Sequence, residues 1–182
     1  CGLQAFCHRR PLWDAAEWWR SRIAPRSFDV DTGIVDELLA TLMAASIPRT
    51  MRSVTPGALG VCIGLTATPH GPYLREPPRD LLPIVPLCKQ VALACANMIQ
   101  DFAFTSIQVN GMGVAERHRD DNNEGPSILI APGNYSGGHL HIMGYEKIKC
   151  DTTAVVFDGQ LVNMSYPFSG IRFSLVLFKH SY

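Results

Sequence analysis

The sequence has no excess of charge of either sign, no cysteine framework and no long apolar run. Lysine plus arginine and aspartate plus glutamate number 16 each among 182 residues, so the overall balance gives no reason to expect a polyanionic partner such as nucleic acid. Its six cysteines (Cys1, Cys7, Cys62, Cys88, Cys95, Cys150) are scattered and include no Cys-x-x-Cys pair. Small secreted domains space cysteines in a framework, so free thiols are expected here. No apolar run approaches the roughly 20 residues that span a bilayer, and the start lacks a basic-then-apolar signal pattern. No membrane partner is expected, and the chain reads as intracellular, in cytoplasm or nucleus. Because it opens on Cys1 rather than methionine, it is expected to be a domain excised from a longer protein. Internal repeats and low-complexity segments are also absent.

What is present fits one domain over 1–182, with a helical part at 1–103 and a β-rich core at 104–182. Trp13–Ile23 has a broad apolar face. Asp31 or Thr32 can cap a second helix with Ile34, Val35, Leu38, Leu39 and Leu42 at helical spacing. Gly57, Gly60 and Gly64 surround the short run Leu59–Leu65, and the Pro-rich stretch Pro69–Pro86 reads as loop. Pro86 suits the first turn of a helix running to about Asp101, with Val91, Ala94, Cys95 and Met98 on one face. Arginines gather early (Arg9, Arg10, Arg20, Arg22, Arg26, Arg49, Arg52); a phosphate-binding face and a solvated surface both fit, and the solvated surface is the plainer expectation.

From Phe104 onward, β-branched and aromatic runs alternate with glycine, asparagine and proline. Strands are expected at Phe104–Asn110, Val114–Arg119, Ser127–Ala131, His139–Met143, Thr153–Asp158, Leu161–Ser165 and Ile171–His180. Short strands preceded by helices imply an α+β chain, with a β-sandwich or barrel and helices packed outside. Two stretches carry chemistry. In His118-Arg119-Asp120, side chains two apart on a strand share a face, so imidazole and carboxylate can converge on a metal, although a surface turn also uses such residues. In the last strand, Arg172, Ser174 and Val176 point one way and Phe173, Leu175 and Leu177 the other. A guanidinium directed inward needs an anion, either a ligand carboxylate or a protein carboxylate.

Taken together, Asn110, His118-Arg119-Asp120, Gly125-Pro126-Ser127, Gly133 to Leu140, Phe157-Asp158-Gly159 and Gly170-Ile171-Arg172-Phe173-Ser174 resemble the iron(II)/2-oxoglutarate dioxygenases. The order is especially similar to the branch that contains the nucleic-acid base hydroxylases. This resemblance covers about residues 104–180. It implies a double-stranded β-helix (jelly-roll) core with the N-terminal helices outside, Fe(II) and 2-oxoglutarate as cofactors, O2 as co-reactant and hydroxylation as the reaction. It makes His118 and Asp120 metal ligands, with Arg172 and Ser174 on the far carboxylate of 2-oxoglutarate. Asn110 would contact the cosubstrate, Leu140 would line the pocket, and Gly125-Pro126-Ser127 would set the turn behind the metal pair. A nucleobase is the substrate implied by the branch; a small molecule or protein side chain stays open, as does oligomeric state.

The departure is the third ligand. The family's distal histidine falls at Asn163, whose amide oxygen is an uncharged donor and a weaker one for iron(II). An active enzyme with an unusual triad, a binding module that is catalytically dead and an engineered inactivation all fit. Other histidines offer no ready substitute. His180 lies eight residues beyond Arg172, roughly 26 Å along an extended strand, and His8 and His70 have no assigned place. A second reading takes His139 and His141 as a cupin-type metal site, since Gly133, His139-Leu140-His141 and Glu146 resemble the first cupin motif. Its closing glycine falls at Thr153, and no second motif follows. Whether Leu140 or the two histidines face the barrel interior separates the two readings.

Overall fold

A computed structural model describes residues 24–68, 70–99 and 102–181. The helix expected at Trp13–Ile23, His8, Cys1, Cys7 and the first four arginines lie outside them. Strand β1 (Arg26–Asp29) leads into helix α1 (Thr32–Ala44). Asp31 caps α1: its carboxylate accepts from the N–H groups of Gly33 at 2.9 Å and Ile34 at 3.3 Å, satisfying donors that a helix start leaves free. The helical spacing of apolar residues puts Val35, Leu38 and Leu42 on one buried face. Helix α2 (Ile84–Ala94) carries Pro86 in its first turn, where the missing N–H has no intrahelical partner to lose.

Between the helices lie β2 (Leu59–Thr68) and β3 (Gly71–Arg75). After them come β4 (Ser106–Gly111), β5 (Asn123–Ile130), β6 (Gly133–Gly137), β7 (Leu140–Ile142), β8 (Lys147–Ile148), β9 (Thr153–Asp158), β10 (Asn163–Ser165) and β11 (Phe168–His180). The large sheet runs β1-β9-β5-β11-β4-β2-β3 with β6 also on β11, and the small sheet runs β10-β7-β8; the pairings are antiparallel.

The large sheet is covered on both faces, and its strands alternate between two cores. Ile128 and Ile130 of β5, Val156 of β9 and Leu175 and Leu177 of β11 pack with Leu38, Leu42, Ile84 and Val91 of the helices. The intervening Leu129, Val155 and Phe157 pack instead with Leu140, Ile142 and Cys150 on the side of the small sheet. A strand buried on both faces reads as a continuous apolar run, which is what Ile128–Ala131 shows. This is an α+β double-stranded β-helix with helices packed outside, as expected.

Several local expectations are corrected. The described residues among the first hundred are not mainly helical: β1, β2 and β3 belong to the large sheet. Glycines hid β2, since Gly64 (φ +90°) sits where a Cβ would collide with the Thr105 carbonyl oxygen, a close approach that only glycine permits. The Pro-rich loop contains β3 and a 3₁₀ turn at Arg79–Leu81. Helix α2 stops at Ala94, well short of Asp101, because Cys95 turns its N–H back onto the Ala92 carbonyl at 3.3 Å. Val114–Arg119 is not a strand. Its bonds slip by one residue, from Ser165 N–H on the Ala115 carbonyl to the mutual pair of His118 and Asn163, which breaks the ladder. Gly125-Pro126-Ser127 lies inside β5 rather than in a turn, and β11 begins at Phe168, within the expected turn, because Gly170 (φ +103°) lets β6 pair closely.

Candidate functional site

Between the two sheets lies a cavity of about 300 Å³. The alternation of β11 brings Arg172, Ser174, Val176 and Phe178 to it, while Phe173, Leu175 and Leu177 enter the opposite core. Asn110 on β4 stands opposite Ser174 in register, and Leu140 on β7 forms part of the far wall. His118, Asp120 and Asn163 line the same cavity. All seven residues singled out on the sequence therefore meet in one space.

Each is held in a definite orientation. His118 Nδ1 lies 2.6 Å from the Glu116 carbonyl oxygen and donates to it, which leaves the Nε2 lone pair facing Asp120 Oδ1 at 3.7 Å. Asp120 is anchored by its N–H on the Gly159 carbonyl at 2.9 Å. Burial raises its pKa above the ordinary carboxylate value, against the lowering influence of His118 and Arg52. Backbone bonds of 3.0 Å and 2.9 Å join His118 and Asn163 in both directions. Residues opposed in this way carry their side chains on one face, so Asn163 projects beside His118. Its amide nitrogen donates to the Leu161 carbonyl at 3.1 Å, leaving Oδ1 as the atom open to a ligand.

At the deeper end, Arg172 is 4 % exposed, against side-chain values of 11 % for His118 and 18 % for Asp120. Among the described residues it has no ion pair with a carboxylate and its Nε has no hydrogen-bond partner. The guanidinium carbon sits 5.5 Å from the Tyr135 ring centroid and 5.6 Å from that of Phe168; these faces support the cation without neutralising it. Beside it a relay sets one hydroxyl. Gln108 Nε2 donates to Asn110 Oδ1 at 3.1 Å, and Asn110 Nδ2 donates to Ser174 Oγ at 3.3 Å. Ser174 thus accepts from the protein, and its own hydrogen is free to donate into the cavity.

These observations test the fit of the implied groups. A buried, unneutralised arginine beside an oriented hydroxyl suits a dicarboxylate end. The other end offers an imidazole nitrogen, a carboxylate and an amide oxygen, a set that suits a divalent cation with one weak donor. Among the described residues no three His, Cys, Asp or Glu side chains cluster to hold a metal, in keeping with asparagine at position 163. His139 and His141 are half-buried and lie outside the cavity lining, with the His141 ring 5.8 Å from Tyr166. His180 does line the cavity, opposite Asn123 in register, although the extended distance from Arg172 had set it aside. His70 is exposed in the turn between β2 and β3.

Sequence reasoning missed Gln108, Thr55 and Arg52. Gln108 shares strand parity with Asn110, a signal available in the sequence; Arg52 was grouped with solvated arginines, yet its Nη2 lies 3.5 Å from Asp120 Oδ1.

No protein-family model matches the chain, and no curated protein sequence does. Solved structures do match. An oxidoreductase of the 2OG-Fe(II) oxygenase family from Burkholderia pseudomallei superposes with a TM-score of 0.66 at 16 % identity, covering 98 % of this chain and 95 % of that one. A prolyl-4-hydroxylase from Pseudomonas putida gives 0.59 at 15 % identity, covering 93 % and 98 %. NgTET1 in complex with 5mC DNA gives 0.61 at 14 % identity, covering 86 % and 72 %. The chain has the fold of the 2OG-Fe(II) oxygenases. Among the described residues no helix is long and apolar enough to cross a membrane.

Proposed function

We propose that the cavity binds a divalent metal, Fe(II) in particular, together with 2-oxoglutarate, and that the chain is a 2-oxoglutarate-dependent oxygenase. One observation carries the reading: Arg172, buried and without a carboxylate partner among the described residues, lies in the same cavity as the His118 and Asp120 pair. Its planar fork takes the far carboxylate of the cosubstrate while Ser174, oriented by Asn110 and Gln108, donates to the same group. His118 Nε2, Asp120 and Asn163 Oδ1 hold the metal, which when bound supplies the oxygen chemistry. The Glu116 carbonyl fixes the imidazole in the tautomer a metal ligand requires. Leu129, Leu140, Phe157 and Val176 line the cavity with apolar surface and keep water from the reacting centre.

Asn163 supports a second reading, in which the site holds 2-oxoglutarate without turning it over. Isothermal titration of the Mn(II)-loaded protein with 2-oxoglutarate tests what both readings share. Saturable binding is expected for this sequence, weakened about tenfold or more in Arg172→Gln, the scale of one charge-assisted contact. Absence of binding rejects the assignment. Succinate formation under iron(II) and ascorbate then separates the enzyme from the binding module.

A further inference from the structure

The segment from Thr50 to Ala58, of which the sequence singled out Arg52 alone for chemistry, walls the cavity on the Asp120 side through Arg52, Val54 and Thr55. It is a fixed turn. Thr50 N–H donates to the Ala58 carbonyl at 2.9 Å and Ala58 N–H to the Thr55 carbonyl at 3.2 Å. Glu116 N–H, from the segment leading to His118, donates to the Val54 carbonyl at 2.7 Å. Gly113 makes the close approach possible, since a Cβ there would collide with the Ala58 side chain. Two of the turn's side chains are unspent. Thr55 is 4 % exposed and its Oγ1 has no hydrogen-bond partner among the described residues. A buried hydroxyl so placed awaits a partner from the cavity. The Arg52 side chain, 36 % exposed, has one ion pair among the described residues, the 3.5 Å contact with Asp120, a carboxylate also facing His118.

We infer that this turn is a substrate-recognition wall, and that Arg52 and Thr55 together take an oxyanion group, carboxylate or phosphate, of the substrate. The inference rests on the proposed function in one respect: once Asp120 serves a cation, Arg52 loses its counter-charge and faces a like charge. An anionic group restores the balance, the guanidinium fork supplies two donors to it, and the Thr55 hydroxyl supplies a third. The cavity's charges agree. Arg52, Arg119 and Arg172 outnumber Asp120 and Asp121 among the lining residues by one. A divalent cation adds two positive charges and dianionic 2-oxoglutarate removes two, so one positive charge remains for the substrate.

Residue-resolved NMR of ¹⁵N-labelled protein tests this. The protein is first saturated with Zn(II), a diamagnetic divalent cation, and with 2-oxoglutarate, whose own binding reports separately on the proposed function, and is then titrated with methyl phosphate in one arm and acetate in the other. Saturable shifts of the amide signals of Val54, Thr55 and Gly113 are expected in at least one arm, and the arm that responds identifies the anion. Arg52→Gln is expected to weaken that binding about tenfold or more, and Thr55→Val less. Each variant's unperturbed spectrum shows whether it is folded. Shifts that are absent in both arms, or that persist unchanged in folded Arg52→Gln, overturn the inference. Those outcomes leave the 2-oxoglutarate site standing if its own binding is seen, and if 2-oxoglutarate fails to bind, Arg52-dependent shifts still decide the role of the turn.

Discussion

At Gly138 the backbone has φ +67°, and an added Cβ would stand 2.9 Å from Arg172 Nε and 3.0 Å from its Cδ. Gly57 has a similar φ of +74° with nothing within 4 Å. Alanine at either position incurs the left-handed backbone cost of about 1–2 kcal/mol, and only Gly138→Ala displaces the guanidinium. The expected outcome is similar loss of stability in urea for both variants, with loss of 2-oxoglutarate affinity for Gly138→Ala alone. Equal affinities would mean that Arg172 does not hold the ligand. At this scale the sequence was informative where strand parity applies: Arg172, Ser174 and Val176 fall on the cavity side as their alternation requires. It was silent on Thr55 and left Arg52 between a phosphate-binding face and a solvated surface, because a turn has no periodicity to say which way a side chain points.

Helix α1 joins a local signal to a packed face, and the two can be separated by experiment. Asp31→Ala removes the cap and is expected to cost about 1 kcal/mol. Leu38→Ala leaves a void under the large sheet, and about 2–5 kcal/mol is expected from thermal or urea unfolding. If the cap variant proved the more damaging, α1 would be held by its own propensity and not by the sheet. Elements with a clean period were legible: α1 was found with its cap, and β9 to the residue. Two of the elements that were missed, β2 and β6, carry glycines that break a propensity pattern and let backbones approach. The register slip between His118 and Ser165 is likewise a property of two segments paired in space, which neither shows alone.

Across the whole molecule, buried thiols give a signature at alkaline pH. Burial pushes Cys88 up to about 12 and Cys150 to about 11 from an ordinary 9.0. The folded chain therefore keeps protons that the unfolded chain releases above pH 9. Their contribution is complete below that pH and is lost as pH rises toward the folded values, by at most about 1.4 kcal/mol per pH unit for each thiol. Urea midpoints are expected to fall between about pH 8 and about pH 10.5, and to fall less in Cys150→Ala. A flat profile would contradict the buried placement of these thiols. The double-stranded β-helix was legible at this scale through the grouped motifs of the second half. The part played by β1, β2 and β3 was not, because strand order in a sheet is set by partners distant in sequence.

Asn163 links all three scales, since it lines the cavity with His118 and Asp120 and is joined to His118 by a pair of backbone bonds. The most direct test is the affinity of Mn(II) for this sequence and for Asn163→His, read by titration in the presence of 2-oxoglutarate. The account predicts that an imidazole at this position tightens metal binding by about tenfold or more, since contacts that only orient a ligand already command roughly 10- to 100-fold, and that succinate production appears or rises with it. An Asn163→His protein that folds, binds 2-oxoglutarate and holds Mn(II) no more tightly than the asparagine form would contradict it.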